Sequence, residues 1–348
     1  MEYTGILKDL SASSAVSGQE ASVFSVVKSI FAKYCDSVEA DKFFNVIGFR
    51  KGSGSGKKIM ITAHCDEIGL MVKDIDENGF IRITSVGGID PRILLAQEVV
   101  VHGKRDLYGI IGAKPPHLLK PEDAKKAVKL EDLYIDTGFG ADKLKEVVSI
   151  GDTVTLKAHL TELQGSRFSS KAMDNRSSVL ALVEIMKQLS VRKHDADIYF
   201  VATVQEEVGA AGAEIAAYNI NPDMAVVIDV CHGEMPDCPK EETYALGKGP
   251  AIGVGPILHR NLYRKLVDLA KEENIPYQID VEPGSTGTEA WDVQVSRSGI
   301  PTALLSIPAR YMHTPVEVVD INDIKNTGKL AAHFAGMSDK EMEGLLCF

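Results

Sequence analysis

Apolar positions along this chain fall into two kinds of run. Ile59 to Ala63, Ile198 to Val204, Met224 to Ile228 and Pro301 to Ile307 are short, β-rich and almost uncharged, the pattern of strands buried on both faces. Between them, apolar residues recur at helical spacing: Val23, Val26, Val27, Ile30, Phe31 and Tyr34; Val179, Leu182, Val183, Met186 and Leu189; Leu262, Leu266 and Leu269; Ile324, Thr327, Leu330, Ala331 and Phe334. Each stripe predicts an amphipathic helix. Ser17 and Glu20 read as a capping box for the first, and Asp174 stands at or just before the N-cap of the second. Phe43 to Gly48 and Ala251 to Val254 add strands, and 210–217 reads as helix or loop. Strands alternating with helices predict an α/β fold, a mostly parallel sheet with helices on both faces.

From about Leu70 to Gln164 the texture changes. Asn78-Gly79 between Val72–Ile75 and Phe80–Ile83 signals a hairpin. Short β segments follow at Val99–Val101, Ile110-Ile111, Tyr134-Ile135 and Val154–Leu156, and helical spacing is weak except around Asp123–Leu130. This predicts a small β-rich domain, residues 69–165, inserted into a catalytic domain built from 1–68 and 166–348. Having no cluster of catalytic residue types, the insert reads as an assembly or lid module. The Gly- and Ser-rich stretch Lys51–Lys58 is a surface turn and not a phosphate loop, because no helix follows to bind an anion.

At 348 residues the chain exceeds one simple core. Its net charge of −11 argues against nucleic acid and against anionic membranes as partners. No apolar run approaches the roughly 18–20 residues of a membrane span. No signal-peptide pattern opens the chain. The five cysteines are scattered, without a C-x-x-C pair, and read as reduced thiols of a cytoplasmic protein.

The buried runs end in, or lead into, polar groups: His64 and Asp66, Glu206-Glu207, Asp229, and the loop carrying His313. Asp174 joins them at a helix start. Each has an ordinary alternative, such as a solvated turn for Glu206-Glu207 or a helix cap for Asp174. Yet burying unpaired carboxylates is costly, and in open α/β sheets the site lies beyond the carboxyl ends of the strands. A converging set of imidazoles and carboxylates suits Zn²⁺, Co²⁺ or Mn²⁺. The set is too large for one catalytic ion and sufficient for two if one carboxylate bridges. His64 and Asp66, two apart on an extended chain, face the same way, so that the carboxylate can steady the imidazole directly or through the following loop.

The motifs His64-x-Asp66, Met173-Asp174-Asn175-Arg176, Gln205-Glu206-Glu207-Val208-Gly209, Ile228-Asp229-Val230 and Tyr311-Met312-His313-Thr314 resemble those of the di-metal aminopeptidases of the tetrahedral and glutamyl aminopeptidase family. Some members of that family carry an old endoglucanase label. The resemblance covers essentially the whole chain. It implies two divalent metal ions per subunit, one held by His64, Asp174 and Asp229 and the other by Asp174, Glu207 and His313. Glu206 is then the general base and Asp66 orients His64. It further implies short peptide substrates and a homo-oligomer, a dodecamer built from dimers through the inserted domain. Glu289 and Arg310 are the charged residues that could set substrate preference, and each could equally serve only its own surroundings. Two other readings remain: a related di-metal amidase, deacylase or carboxypeptidase, and an endo-β-glucanase. The glucanase would leave His64 and His313 unexplained, and Trp291 would be the single Trp to stack on sugars.

Overall fold

The computed structural model describes residues 2–120, 122 and 126–346. A mixed sheet of eight strands forms its centre, in the order Ser37–Ala40, Val46–Arg50, Asp197–Thr203, Lys58–His64, Met224–His232, Thr302–Ala309, Ala251–Val254 and Gln278–Val281. The four middle strands are parallel and nearly continuous in burial, as strands covered on both faces must be. Antiparallel pairing appears where Val46–Arg50 and Ala251–Val254 join the middle four. The largest apolar cluster packs helices Ala21–Phe31, Met173–Ser190, Arg260–Glu272 and Ile321–Ala335 against one face around Ile61, Phe200 and Leu305. Helices Ala211–Ile220 and Ala290–Val295 cover the other face around Met60, Val201 and Val227.

The chain leaves the sheet after His64 and forms a closed six-stranded barrel. Its order is Gly69–Ile75, Ile81–Val86, Leu133–Asp136, Asp106–Ala113, Glu98–His102 and Thr153–Leu156. Alternate residues such as Leu70, Val72, Val99, Val101, Leu133 and Ile135 point inward and fill a separate core, so closure leaves no free sheet edge. The Asn78-Gly79 hairpin is present, although the register Ile75↔Ile81 makes its loop wider than two residues. The carboxylate of Asp76 ties that loop by accepting from the amides of Asn78 and Phe80. The helical stretch expected around Asp123–Leu130 falls, at residues 123–125, outside the described residues. Beyond it the chain makes a short 3₁₀ turn, Leu130–Asp132.

Ser17 and Glu20 do not form the expected capping box. Glu20 itself precedes the helix, without a side-chain cap, and accepts from the amide of Gly18; Ser17 is drawn to a stronger acceptor, described below. Among the described residues, no helix is long and apolar enough to cross a membrane. The cysteines at 35, 65, 231 and 238 are free.

Candidate active site

Strand register brings the polar residues level. Thr203 pairs with His64, so the turn carrying Glu206 and Glu207 emerges beside the imidazole. Val227 pairs with Thr62, which sets Asp229 level with His64. Asp229 is not the end of its strand, as its place after an apolar run suggested: pairing with the neighbouring strand continues through His232. Asp174 lies where helix Met173–Ser190 has not yet become regular. Its backbone and that of Asn175 are non-helical, and the peptide between them is cis. Its side chain caps nothing and turns to the imidazoles instead. His313 is carried by a tight loop after strand Thr302–Ala309. Left-handed backbone at Ala172, Gln205, Tyr311 and His313 aims these loops. Such conformations cost non-glycine residues about 1 kcal/mol or more each and persist where the surrounding fold imposes them.

Two groups of donors result, sharing one carboxylate. His64 Nε2 lies 3.1 Å from Asp174 Oδ1 and 3.7 Å from Asp229 Oδ1. His313 Nε2 lies 3.4 Å from Asp174 Oδ2 and 3.3 Å from Glu207 Oε2. An ion bound tetrahedrally at about 2.1 Å keeps its donors about 3.4 Å apart, close to these imidazole–carboxylate separations. Single ligand atoms from His64, Asp174 and Glu207 all fall within 4.8 Å of one another. Glu206 Oε2 stands 3.9 Å from His64 Nε2.

The supporting residues are buried. Asp66 is fully buried and accepts from Ser17 Oγ at 2.5 Å and from the amides of Glu206 at 3.1 Å and Glu207 at 3.2 Å. It faces His64 Nδ1 at 3.4 Å. Burial pushes Asp66 up, but His64, Ser17 and the Glu206 amide outweigh it and hold the carboxyl below its usual range. Glu317 accepts from the His313 amide at 2.7 Å and the Asp174 amide at 3.1 Å, and Gly88 of the barrel accepts from His313 Nδ1 at 2.7 Å. Neither Glu317 nor Gly88 carries a motif, and Ser17 resembled a cap; only the folded chain brings them here. Nearby, buried Lys171 pairs with Glu67 at 2.5 Å, whose other oxygen accepts from the amide of Ala15.

The electrostatics call for positive charge. Burial, then the repulsion of Asp174, pushes Glu207 up to about 9. Burial pushes Glu206 up to about 7 and Asp229 well above the usual carboxylate range. Asp174 is depressed because His313 and His64 outweigh its burial. Glu207 Oε1 is buried without a hydrogen-bond partner. Divalent cations satisfy such a set of carboxylates and orphaned oxygen.

The site opens into a cavity of about 750 Å³ lined by all of His64, Asp174, Glu206, Glu207, Asp229 and His313. Glu289 does not line it: it lies fully buried and accepts from Thr203 Oγ1 at 2.5 Å. Arg310 does not line it either, donating instead to the carbonyl of Glu234.

An α/β sheet with these donors beyond its parallel strands, and a closed β-barrel inserted after the strand that carries His64, together frame a candidate metal centre. The model of the M42 glutamyl aminopeptidase family matches residues 45–330, and the chain belongs to that family. It is 37% identical over 331 residues to the lysyl aminopeptidase of Pyrococcus furiosus, covering 94% of each chain. A solved aminopeptidase from Desulfurococcus kamchatkensis superposes with a TM-score of 0.91 at 38% identity, covering 98% of this chain and 96% of its own. The TET1 peptidase of Pyrococcus horikoshii, described as able to assemble into a tetrahedron or a large octahedral shell, matches with a TM-score of 0.84 at 33% identity, covering 97% and 100%. The enzyme is an aminopeptidase, a hydrolase of peptide bonds. The glucanase reading is thereby set aside.

Proposed function

We propose that the enzyme removes N-terminal residues from short peptides with two divalent cations, zinc or cobalt, with manganese a further option. His64, Asp174 and Asp229 hold one, and Asp174, Glu207 and His313 the other. The observation that carries this reading is the pair of donor groups sharing Asp174. When bound, the cations polarise the scissile carbonyl and acidify the attacking water. Glu206 takes a proton from that water at its carboxylate and returns it to the departing amine. Asp66 fixes the orientation of His64. A free α-amine binding beside the cations makes the enzyme an exopeptidase.

The barrel, taken as residues 69–165, serves assembly, and the protein works as a cytoplasmic dodecamer built from dimers, with no nucleic-acid or membrane partner. Support comes from the outward Tyr108 and Ile110 on one barrel strand, 71% and 57% exposed, and from the assembly of the Pyrococcus horikoshii relative. The test is to strip the protein with chelator, restore Zn²⁺, Co²⁺ or Mn²⁺ one at a time, and follow release from aminoacyl-p-nitroanilides. Metal-dependent release is expected. Undiminished release after chelation, with no metal retained, would overturn the two-cation reading.

A further inference from the structure

Asp174 and His313 reach the site on loops. Asp174 follows strand Arg167–Ser170 by way of Ala172, whose backbone is left-handed with φ 56°. In the other loop Tyr311 and His313 itself are left-handed, with φ 57° and 61°. Such backbone persists only where the surroundings impose it. Packing does this unevenly. The His64 side chain is 1% exposed, whereas that of His313 is 32% exposed, so burial holds the first ring and cannot by itself hold the second.

Glu317 supplies what burial does not. It opens strand Glu317–Asp320, which pairs antiparallel with Arg167–Ser170 in the register Ser170↔Glu317. Its side chain is 2% exposed. Oε1 accepts from the His313 amide at 2.7 Å and Oε2 from the Asp174 amide at 3.1 Å, so each oxygen answers a different loop. The two residues it holds face one another, His313 Nε2 lying 3.4 Å from Asp174 Oδ2. A buried carboxylate carries a desolvation cost, and strand pairing does not call for one, since the backbone ladder forms whatever the side chain.

We propose that Glu317 is a positioning residue for the second cation: by holding the His313 and Asp174 backbones at one separation, it sets the opening between Asp174, Glu207 and His313. The proposal rests on the two-cation reading and assigns what builds one of its sites. Glu317 does not line the cavity and acts only through the two backbones. A carboxylate is needed because it accepts on both oxygens. An amide side chain of the same shape has one acceptor and turns its NH₂ against the other N–H. The first site, with His64 and Asp229, depends on Glu317 only through the shared Asp174.

The test titrates Co²⁺ into chelator-stripped protein against a competing chelator, with the visible spectrum of the bound ion recorded alongside. The wild type is expected to take up two equivalents. In Glu317→Gln one equivalent should weaken by about 10–100-fold, the usual effect of losing a support behind a ligand. Its absorption bands should shift, because they report coordination geometry, and the other equivalent should change far less. Turnover of an aminoacyl-p-nitroanilide by the variant should recover as Co²⁺ is raised, since occupancy is lost and the chemistry is not. In a His313→Ala background, where the second site has lost its imidazole, Glu317→Gln should not further weaken the remaining equivalent. Glu317→Asp keeps the charge but is one methylene too short to reach both amides, and it carries the same comparison should the Gln variant not fold. Two equivalents of unchanged affinity and spectrum in the variants would overturn the positioning role and leave the two-cation reading standing. So would an equal loss at both sites that persists in the His313→Ala background. A wild-type protein that binds a single equivalent would overturn that reading and the role with it.

Discussion

At the residue scale, burial and hydrogen bonding separate the roles of chemically identical side chains. Asp66 and Asp229 are both buried aspartates. Asp66 has three donors besides His64 and is pulled down, whereas burial, reinforced by the charges of Glu206 and Asp174, pushes Asp229 up. The first can hold an imidazole as an anion; the second is stabilised by a cation. Glu206→Gln should therefore lower kcat by about 10²–10⁴-fold, the usual worth of a general base, while the metal content measured by mass spectrometry stays at the wild-type level. Asp66→Asn keeps the shape but loses the charge that three donors require. It should weaken metal affinity or turnover by about 10–100-fold, read by metal titration with a competing chelator. His64, Asp66, Glu206, Glu207 and Asp229 stood out in the sequence as polar groups following apolar runs, and Asp174 and His313 through the motifs around them. Ser17, Gly88 and Glu317 were not, since each occupies a position where its residue type is unremarkable.

At the element scale, close approach governs the turn that carries Glu206-Glu207. A Cβ on Gly212 would meet the Val204 carbonyl at 2.3 Å and Asn45 Oδ1 at 2.7 Å, the latter also accepting from the Val204 amide. Gly212→Ala must push helix Ala211–Ile220 off the end of the strand that leads into the active-site turn. A loss of about 1–3 kcal/mol by denaturant titration is expected, with turnover reduced. The C-terminal helix Asp339–Leu346 shows the capping logic that Ser17 and Glu20 lack. Ser338 and Glu341 exchange hydrogen bonds, and these together with Lys265 hold Glu341 down at about 2. Its folded pKa lies below the ordinary 4.5, so its contribution is present above that value and lost as pH falls toward 2. Glu341→Gln should cost less than about 1 kcal/mol at pH 7, because the side chain is half exposed. The gap in melting temperature from wild type should narrow between pH 5 and pH 3.

At the scale of the whole molecule, two cores are joined where the barrel meets the site. Gly88 accepts from His313, and Gly87 lies against Glu207. The barrel thus touches the active site and also exposes Tyr108 and Ile110 on its outer face. Placing Glu at both positions, Tyr108→Glu with Ile110→Glu, should break a dodecamer of about 450 kDa, twelve times the 37.7 kDa chain. Smaller species by light scattering are expected; an unchanged mass would remove these residues from the interface.

The sequence by itself determined the periodicities, and with them the α/β sheet, the β-rich insert and the polar residues at strand ends. Those signals are local: a two- or 3.6-residue repeat and its interruptions. It also determined the family, through five short motifs in order. Only the tertiary structure decided that Ser17 serves Asp66 instead of a helix, that Glu289 is buried against Thr203 of a central strand and not in the cavity, and that Arg310 braces a loop. It alone brought Glu317 to the backbones of both Asp174 and His313. These outcomes depend on which segments become neighbours in three dimensions, and no local pattern encodes the register of one strand against another far along the chain.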